Sequence, residues 1–263
     1  DEPFAGYPRH LAEKWSPWLR ATGPIGRAAV GAVSSLTGRE RVARSAYALF
    51  RRHDFERAMA VWSVFPDDMR LSLLRPEAQR PLDLDGMHAV YMRAPRTDAL
   101  SRMLYAEARL SLPDNLLLYG DKMSMAVGIE ARVPYLDLEL MRYVEGLPPQ
   151  MKLHGITGKY LHKTALEGVL PSEIVRRRKI GFQTPMKDWL RNTLADWVRD
   201  GLLAKTSFAR EVFDGHALES LVDANQSGRL DLKRHLFLLV SLEMWHRTFF
   251  KRPQTVGESA VML

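Results

Sequence analysis

The sequence predicts a mainly α-helical protein, and three observations carry that reading. Apolar side chains recur at helical spacing, most regularly at Leu232, Leu236, Val240 and Met244. Helix-capping residues stand ahead of several helix-like stretches, as Thr97, Asp137 and Thr184 do. No segment alternates apolar and polar residues over the roughly four to eight positions that mark a half-buried strand.

Asp1 to His10 is rich in Gly and Pro and reads as a loop. Ser16-Pro17 caps a helix carrying Trp15, Trp18 and Leu19. Thr22 to Gly38 holds four glycines and reads as a loop with one short helix. Arg39 to Val64 is amphipathic, with Tyr47, Phe50, Phe55 and Trp62 on its apolar face. Arg39, Arg41, Arg44, Arg51, Arg52 and Arg57 then form a solvated basic face. Phe65 to Pro95 contains turns at Pro66-Asp67-Asp68 and Asp85-Gly86 between short helices.

Thr97 caps a long helix through Leu110, with Leu100, Met103, Leu104 and Ala108 inward. Pro113-Asp114-Asn115 starts a helix running towards Met125. Asp137 caps another through Val144, and Pro148-Pro149 stops it. Leu161 to Val175 is helix-like. Thr184 caps a further helix, with Pro185 at its first position and Asp188 in its first turn. Asp188 to Arg199 places Trp189, Leu190, Leu194 and Trp197 on one face. Asp231 to Phe249 is the last strong element, with Phe237 beside the Leu232 to Met244 stripe.

The 263 residues suffice for one large domain or two small ones around a buried core. No apolar run approaches the roughly 20 residues that span a bilayer. The first residues lack the basic and apolar regions of a signal peptide. Zero Cys excludes disulfides, thiolate metal sites and Cys nucleophiles, and fits a reducing, cytoplasmic compartment. The formal charge of +7 favours anionic partners. No nucleic-acid-binding motif accompanies the basic face, so nucleic acid is not the expected partner. His53, His154, His162, His216, His235 and His246 show no metal spacing, and the methionines read as core fillers.

Two stretches hold the chemistry. In Arg176-Arg177-Arg178-Lys179-Ile180-Gly181-Phe182-Gln183-Thr184-Pro185, four cations precede a Gly hinge between helices. A solvated patch and an anion-binding loop both fit these ten residues. The second stretch, Asp121 to Asp137, places Glu130 and Arg132 on one side of an extended piece between apolar neighbours. Both charges are expected to be partly buried and paired, as an internal ion-pair network.

The second stretch resembles the pattern D-x-x-S-M-A-x-x-x-E-x-R-x-P-[FY]-L-D of the glutamine-dependent asparagine synthetase family. Arg177 to Phe182 is similar to that family's R-x-K-x-G-F loop. Asp1-Glu2-Pro3-Phe4-Ala5-Gly6-Tyr7-Pro8-Arg9 resembles the second half of its G-x-G-G-D-E-x-F-x-G-Y-x-R loop. Gly158-Lys159 resembles a family G-K ahead of a helix ending in Leu170-Pro171. The four motifs occur in the family's order.

The resemblance implies an α/β synthetase domain of the ATP-pyrophosphatase type, of which residues 1–263 are the C-terminal, largely helical portion. It implies ATP and Mg²⁺, activation of aspartate as β-aspartyl-AMP, release of pyrophosphate, and displacement of AMP by ammonia. The ammonia comes from glutamine in a glutaminase domain of the same full-length chain. Asp1 falls on the aspartate that contacts Mg²⁺ and pyrophosphate, and Lys179 on the lysine that stabilises charge at the reacting centre. Arg177 and Lys159 would support the same anion. Glu2, Asp121, Ser124, Glu130 and Arg132 match the pattern as site support. The glutaminase domain and the Ser-Gly-Gly-x-Asp-Ser loop are absent from the chain, and Pro3 replaces a usual apolar residue. An upstream portion is expected before Asp1, and the chain alone is not expected to synthesise asparagine. A relative that closes a β-lactam ring or amidates another carboxylate is the alternative, with a basic helical nucleic-acid-binding module more distant. The oligomeric state stays open, a homodimer included.

Overall fold

The computed structural model describes residues 1–26, 28, 48–96, 98–177 and 184–251. These residues are mostly helical, with one two-stranded antiparallel sheet that pairs Leu153–His154 with Thr157–Gly158. The expectations for Arg39 to Tyr47, for Thr97 and for Arg178 to Gln183 lie outside the described residues. The chain divides into two units, Asp1–Trp62 with Leu82–Lys179, and Ser63–Pro81 with Ile180–Leu263.

In the first unit the opening helix is Pro8–Ala21, so the expected loop ends earlier and Pro17 lies inside the helix. Pro8 takes the first helical position, where a missing N–H costs nothing. The helix Asp54–Trp62 follows, then Asp85–Met92 and Ala99–Arg109. Asp98 caps the last of these, its carboxylate accepting from the Ser101 N–H at 2.8 Å. Leu100, Met103 and Leu104 are buried as expected, whereas Ala108 is only half-buried. Their stripe continues to Glu107, a fully buried carboxylate.

Arg57 corrects the expectation of a solvated basic face. It is buried against Glu13, with an N···O distance of 2.7 Å. The expected helix from Pro113 becomes a π-helical turn Leu112–Leu117 and a helix Leu118–Met125. Asp137 caps Leu138–Gly146 as expected, accepting from the N–H groups of Glu139 and Leu140. Pro149 opens a short helix, Pro149–Lys152, and the hairpin follows. Strands of two residues are too short to display alternation, so this pair escaped the sequence reading. Leu161 to Val175 splits into Tyr160–Ala165 and Ser172–Arg176, with a turn at Gly168 and Pro171 before the second helix.

In the second unit Thr184 does not cap; Pro185 stands at the N-cap of Met186–Asp188 without a side-chain bond. A π-helical turn Trp189–Thr193 leads into Ala195–Leu203. Of the expected face only Leu190 is buried: Trp189, Leu194 and Trp197 are exposed, and Val198 and Leu202 are buried instead. The extra residue in the π-turn rotates the following helix, so a single 3.6-residue register fails across it. In the final helix, Lys233–Phe249, Leu236, Leu239 and Glu243 face inward, and Met244 and Phe237 are exposed. Of the methionines read as core fillers, Met103 is buried but Met92, Met123, Met125, Met151 and Met244 are exposed. No helix among the described residues is long and apolar enough to cross a membrane.

Candidate active site

The Asp1 loop and the end of the hairpin meet within the first unit. Gly6 N–H donates to the Asp1 carbonyl at 2.9 Å, closing the loop on itself. Lys159 N–H donates to the Phe4 carbonyl at 2.9 Å, tying the loop to the hairpin. A Cβ on Gly158 would stand 2.5 Å from the Ala5 carbonyl oxygen, and one on Gly6 would collide with the Asp1 carboxylate and the Lys159 side chain. Glycine at both positions permits this approach. Ala5 and Lys159 flank the contact, both left-handed at φ 55°. That conformation costs a non-glycine residue about 1–2 kcal/mol, and such strain gathers where surrounding contacts enforce it. The result is an ion pair, Lys159 Nζ to Asp1 Oδ1 at 2.5 Å.

A cavity of about 320 Å³ opens beside this pair. Asp1, Glu2, Arg132, Lys159 and His162 contribute its polar groups; Phe4, Leu112, Leu117, Val133 and Leu136 give it apolar walls. Phe4, Tyr135 and His162 form a ring cluster with centroids 5.2 to 6.1 Å apart. Burial, then the nearby Lys159 charge, hold the His162 imidazole below its ordinary pKa. Glu2 is buried and accepts from the Tyr7 hydroxyl at 2.8 Å. Burial raises the Glu2 pKa, but hydrogen bonds from its backbone N–H and from Tyr7 outweigh it, and the net direction is down. Tyr7 is pushed up to about 12 by burial and by that same carboxylate. The cavity therefore offers cations that can meet phosphate oxygens and a carboxylate of the kind that hard cations take.

Asp1, Glu2, Lys159 and Arg132 are thus brought together at one cavity, and Arg177, Asp121, Ser124 and Glu130 do not line it. Arg177 is exposed just past Ser172–Arg176 and does not line the cavity. Neither do Asp121 and Ser124, which lie on Leu118–Met125 with the Ser124 hydroxyl donating to the Asp121 carbonyl at 3.1 Å. Glu130 and Arg132 pair with each other at 2.8 Å, but their side chains are 63% and 82% exposed. This corrects the expected burial: the apolar neighbours Ile129 and Val133 are themselves exposed, so nothing desolvates the charges. Lys179 lies outside the described residues.

Sequence reasoning placed Tyr7 and Arg9 in the loop motif without a role, and missed His10 and Glu107. Arg9 Nε, His10 Nε2 and Trp62 Nε1 reach Glu107 at 2.6, 2.8 and 2.9 Å. A carboxylate on the inward stripe of Leu100, Met103 and Leu104 was the available signal. Among the described residues, no group of three or more acidic, His or Cys side chains could hold a metal ion unaided.

The Asparagine synthase family model matches residues 1–247. The chain is 26% identical over 183 residues to "Asparagine synthetase [glutamine-hydrolyzing] 1" of Bacillus subtilis (strain 168), covering 70% of the chain and 29% of that protein. It is 31% identical over 150 residues to "Asparagine synthetase [glutamine-hydrolyzing] 3" of the same organism, covering 57% of the chain and 23% of that relative. It is 28% identical over 137 residues to "Asparagine synthetase [glutamine-hydrolyzing]" of Mesocricetus auratus, covering 46% and 24%. The chain thus spans under a third of the length of these curated relatives. No solved structure gives a significant match. With the Asp1 loop, the Gly158-Lys159 contact and the Tyr135 segment all inside the matched span, the chain belongs to the asparagine synthase family.

Proposed function

We propose that the protein takes part in ATP-dependent amidation of aspartate to asparagine. The aspartate side-chain carboxylate attacks the α-phosphorus of ATP and pyrophosphate leaves. Ammonia then attacks the β-aspartyl-AMP carbonyl and AMP leaves. In this reading a glutaminase domain of the full-length chain supplies the ammonia from glutamine. The domain is of the α/β ATP-pyrophosphatase type, and residues 1–263 are its C-terminal portion. The exposed apolar stretch from Leu116 to Leu138 supports the fold part of the reading. Contiguous exposed apolar side chains suit a surface covered by another layer of a larger domain.

The observation that carries the proposal is the Asp1–Lys159 pair on the wall of an open cavity, in a chain of this family. Asp1 suits Mg²⁺, which is usually held by one or two carboxylates together with phosphate oxygens. Bound there, Mg²⁺ would neutralise phosphate charge. Lys159 would meet the pyrophosphate oxygens, and Lys179 would stabilise charge developing at the α-phosphate. A second reading keeps the adenylation and changes the acceptor. The apolar walls given by Phe4, Leu112, Leu117 and Leu136 favour a carboxylate with an apolar body.

The test supplies the full-length protein with aspartate, ATP and glutamine. AMP, pyrophosphate and asparagine should form in equal amounts; no AMP with aspartate would sink the first reading. Lys179→Ala should lower turnover roughly 100- to 1000-fold, as loss of one preorganised charge stabiliser commonly does.

A further inference from the structure

We infer that Glu107 is a positioning residue for the Asp1–Lys159 pair, holding the Asp1 loop in place through Arg9, His10 and Tyr7. This rests on the reading that the pair meets Mg²⁺ and pyrophosphate. Glu107 is 0% exposed, at a helical position where an apolar side chain would continue the buried stripe. A buried carboxylate is costly unless well partnered. One arginine would balance its charge, yet the partners here exceed that. Arg9 donates twice, from Nε at 2.6 Å and Nη2 at 3.1 Å.

His10 adds a bond from Nε2 at 2.8 Å, and its Nδ1 accepts the Tyr7 N–H at 3.2 Å. The Tyr7 hydroxyl continues the chain to Glu2 at 2.8 Å, and the Arg9 guanidinium lies 3.9 Å from the centre of the Tyr7 ring. Every link falls just after the Asp1 loop, where the chain enters Pro8–Ala21. The exit of the loop is thus fastened to one carboxylate on a different helix. If the carboxylate loses its charge, Arg9 and Tyr7 are released together, and the geometry of Asp1 against Lys159 slackens with them.

The same unit contains an internal control. Glu13, on the same opening helix as Arg9 and His10, forms another buried pair with Arg57 of Asp54–Trp62 at 2.7 Å, with no bond to the Asp1 loop. The experiment compares Glu107→Gln with Glu13→Gln in the full-length protein, alongside the melting temperature of each. One arm measures acylation of Lys159 by an amine-reactive reagent, read by peptide mass spectrometry. The other measures pyrophosphate binding in Mg²⁺ by calorimetry. Both variants should lower the melting temperature. Only Glu107→Gln should speed Lys159 acylation and weaken pyrophosphate binding by about tenfold, the loss usual when an outer partner of a site is removed.

Unchanged acylation in Glu107→Gln overturns the proposal, and so does equal acceleration in both variants. If the unsubstituted protein binds no pyrophosphate, the polyphosphate reading falls and the acylation arm alone decides the role of Glu107. If Glu107→Gln does not fold, Tyr7→Phe replaces it, removing one hydroxyl bond. Acylation should then rise about threefold, in line with the worth of one hydrogen bond, and no rise overturns the proposal.

Discussion

The helices between residues 195 and 249 bury one another, whereas the stretch from Leu116 to Leu138 buries almost nothing. Val198, Leu202, Leu218, Val222 and Leu236 are each 0% exposed in the first region. In the second, Tyr119, Met123, Val127, Ile129 and Leu138 are all more than half exposed, and Leu118–Met125 has no buried residue. Both stretches are rich in large apolar side chains. The difference is arrangement. The closed region places its apolar residues on facing stripes of several helices, with Asn225, Ser207 and Glu243 satisfying buried backbone groups between them. The open stretch sets its apolar residues on one short helix interrupted by Gly120, Asp121, Lys122 and Ser124, and along an extended piece, with no facing stripe to cover them. Apolarity supplies a driving force, but only a matching surface turns it into burial.

Three measurements can break or sharpen this contrast. The largest effect is expected at Leu236→Ala, which should cost about 2–5 kcal/mol by removing a fully buried side chain from a packed cluster. Urea denaturation reads that loss directly. A smaller cost would mean that the closed region is looser than its burial indicates.

The second measurement is acid titration of stability, which separates buried charge from buried apolar surface. Burial raises the Glu107 carboxyl, but bonds from His10 and Arg9 outweigh it and hold the group at about 2 against an ordinary 4.5. The unfolded chain thus takes up this proton first as pH falls. Its stabilisation is present above pH 4.5 and fades towards pH 2, on the order of 3 kcal/mol. His10 acts in the same direction, because burial depresses its pKa from 6.5; its contribution begins to fade as pH drops through 6.5. Urea midpoints measured from pH 7 to pH 2 should fall, and Glu107→Gln should flatten the steeper acid portion.

The smallest effect is expected at Ile129→Ala measured on residues 1–263 alone, since the proposed full domain would cover that stretch. That side chain is 62% exposed, and the change should stay within about 0.5 kcal/mol. A cost as large as that at Leu236 would mean the stretch is covered in solution, and the contrast would collapse.

Much of the fold could be read from the residues. Asp137 capped its helix as expected, and Leu100, Met103, Leu104, Leu232 and Leu236 are buried where periodicity placed them. The failures have local causes. The π-turn at Trp189–Thr193 shifted a helical register that periodicity assumes to be constant. Gly168 and Pro171 divided a stretch that looked continuous. The site was legible where motif and contact coincide, at Asp1 and Lys159. Arg132 reached the cavity, but without the burial expected of it. The Glu107 network stayed hidden because its members converge from three helices: the inward stripe marks Glu107 as unusual, but nothing in the sequence pairs it with Arg9, His10 or Trp62.

The left-handed backbone at Lys159 has a consequence for whatever enters the cavity. A lysine side chain surrenders up to about 2 kcal/mol of rotamer freedom when it is fixed in place. Here the hairpin and the Asp1 loop already aim it, so much of that freedom is lost when the chain folds. An incoming anion would meet an ammonium held ready and would exchange one oxygen partner for another, with little searching left to do.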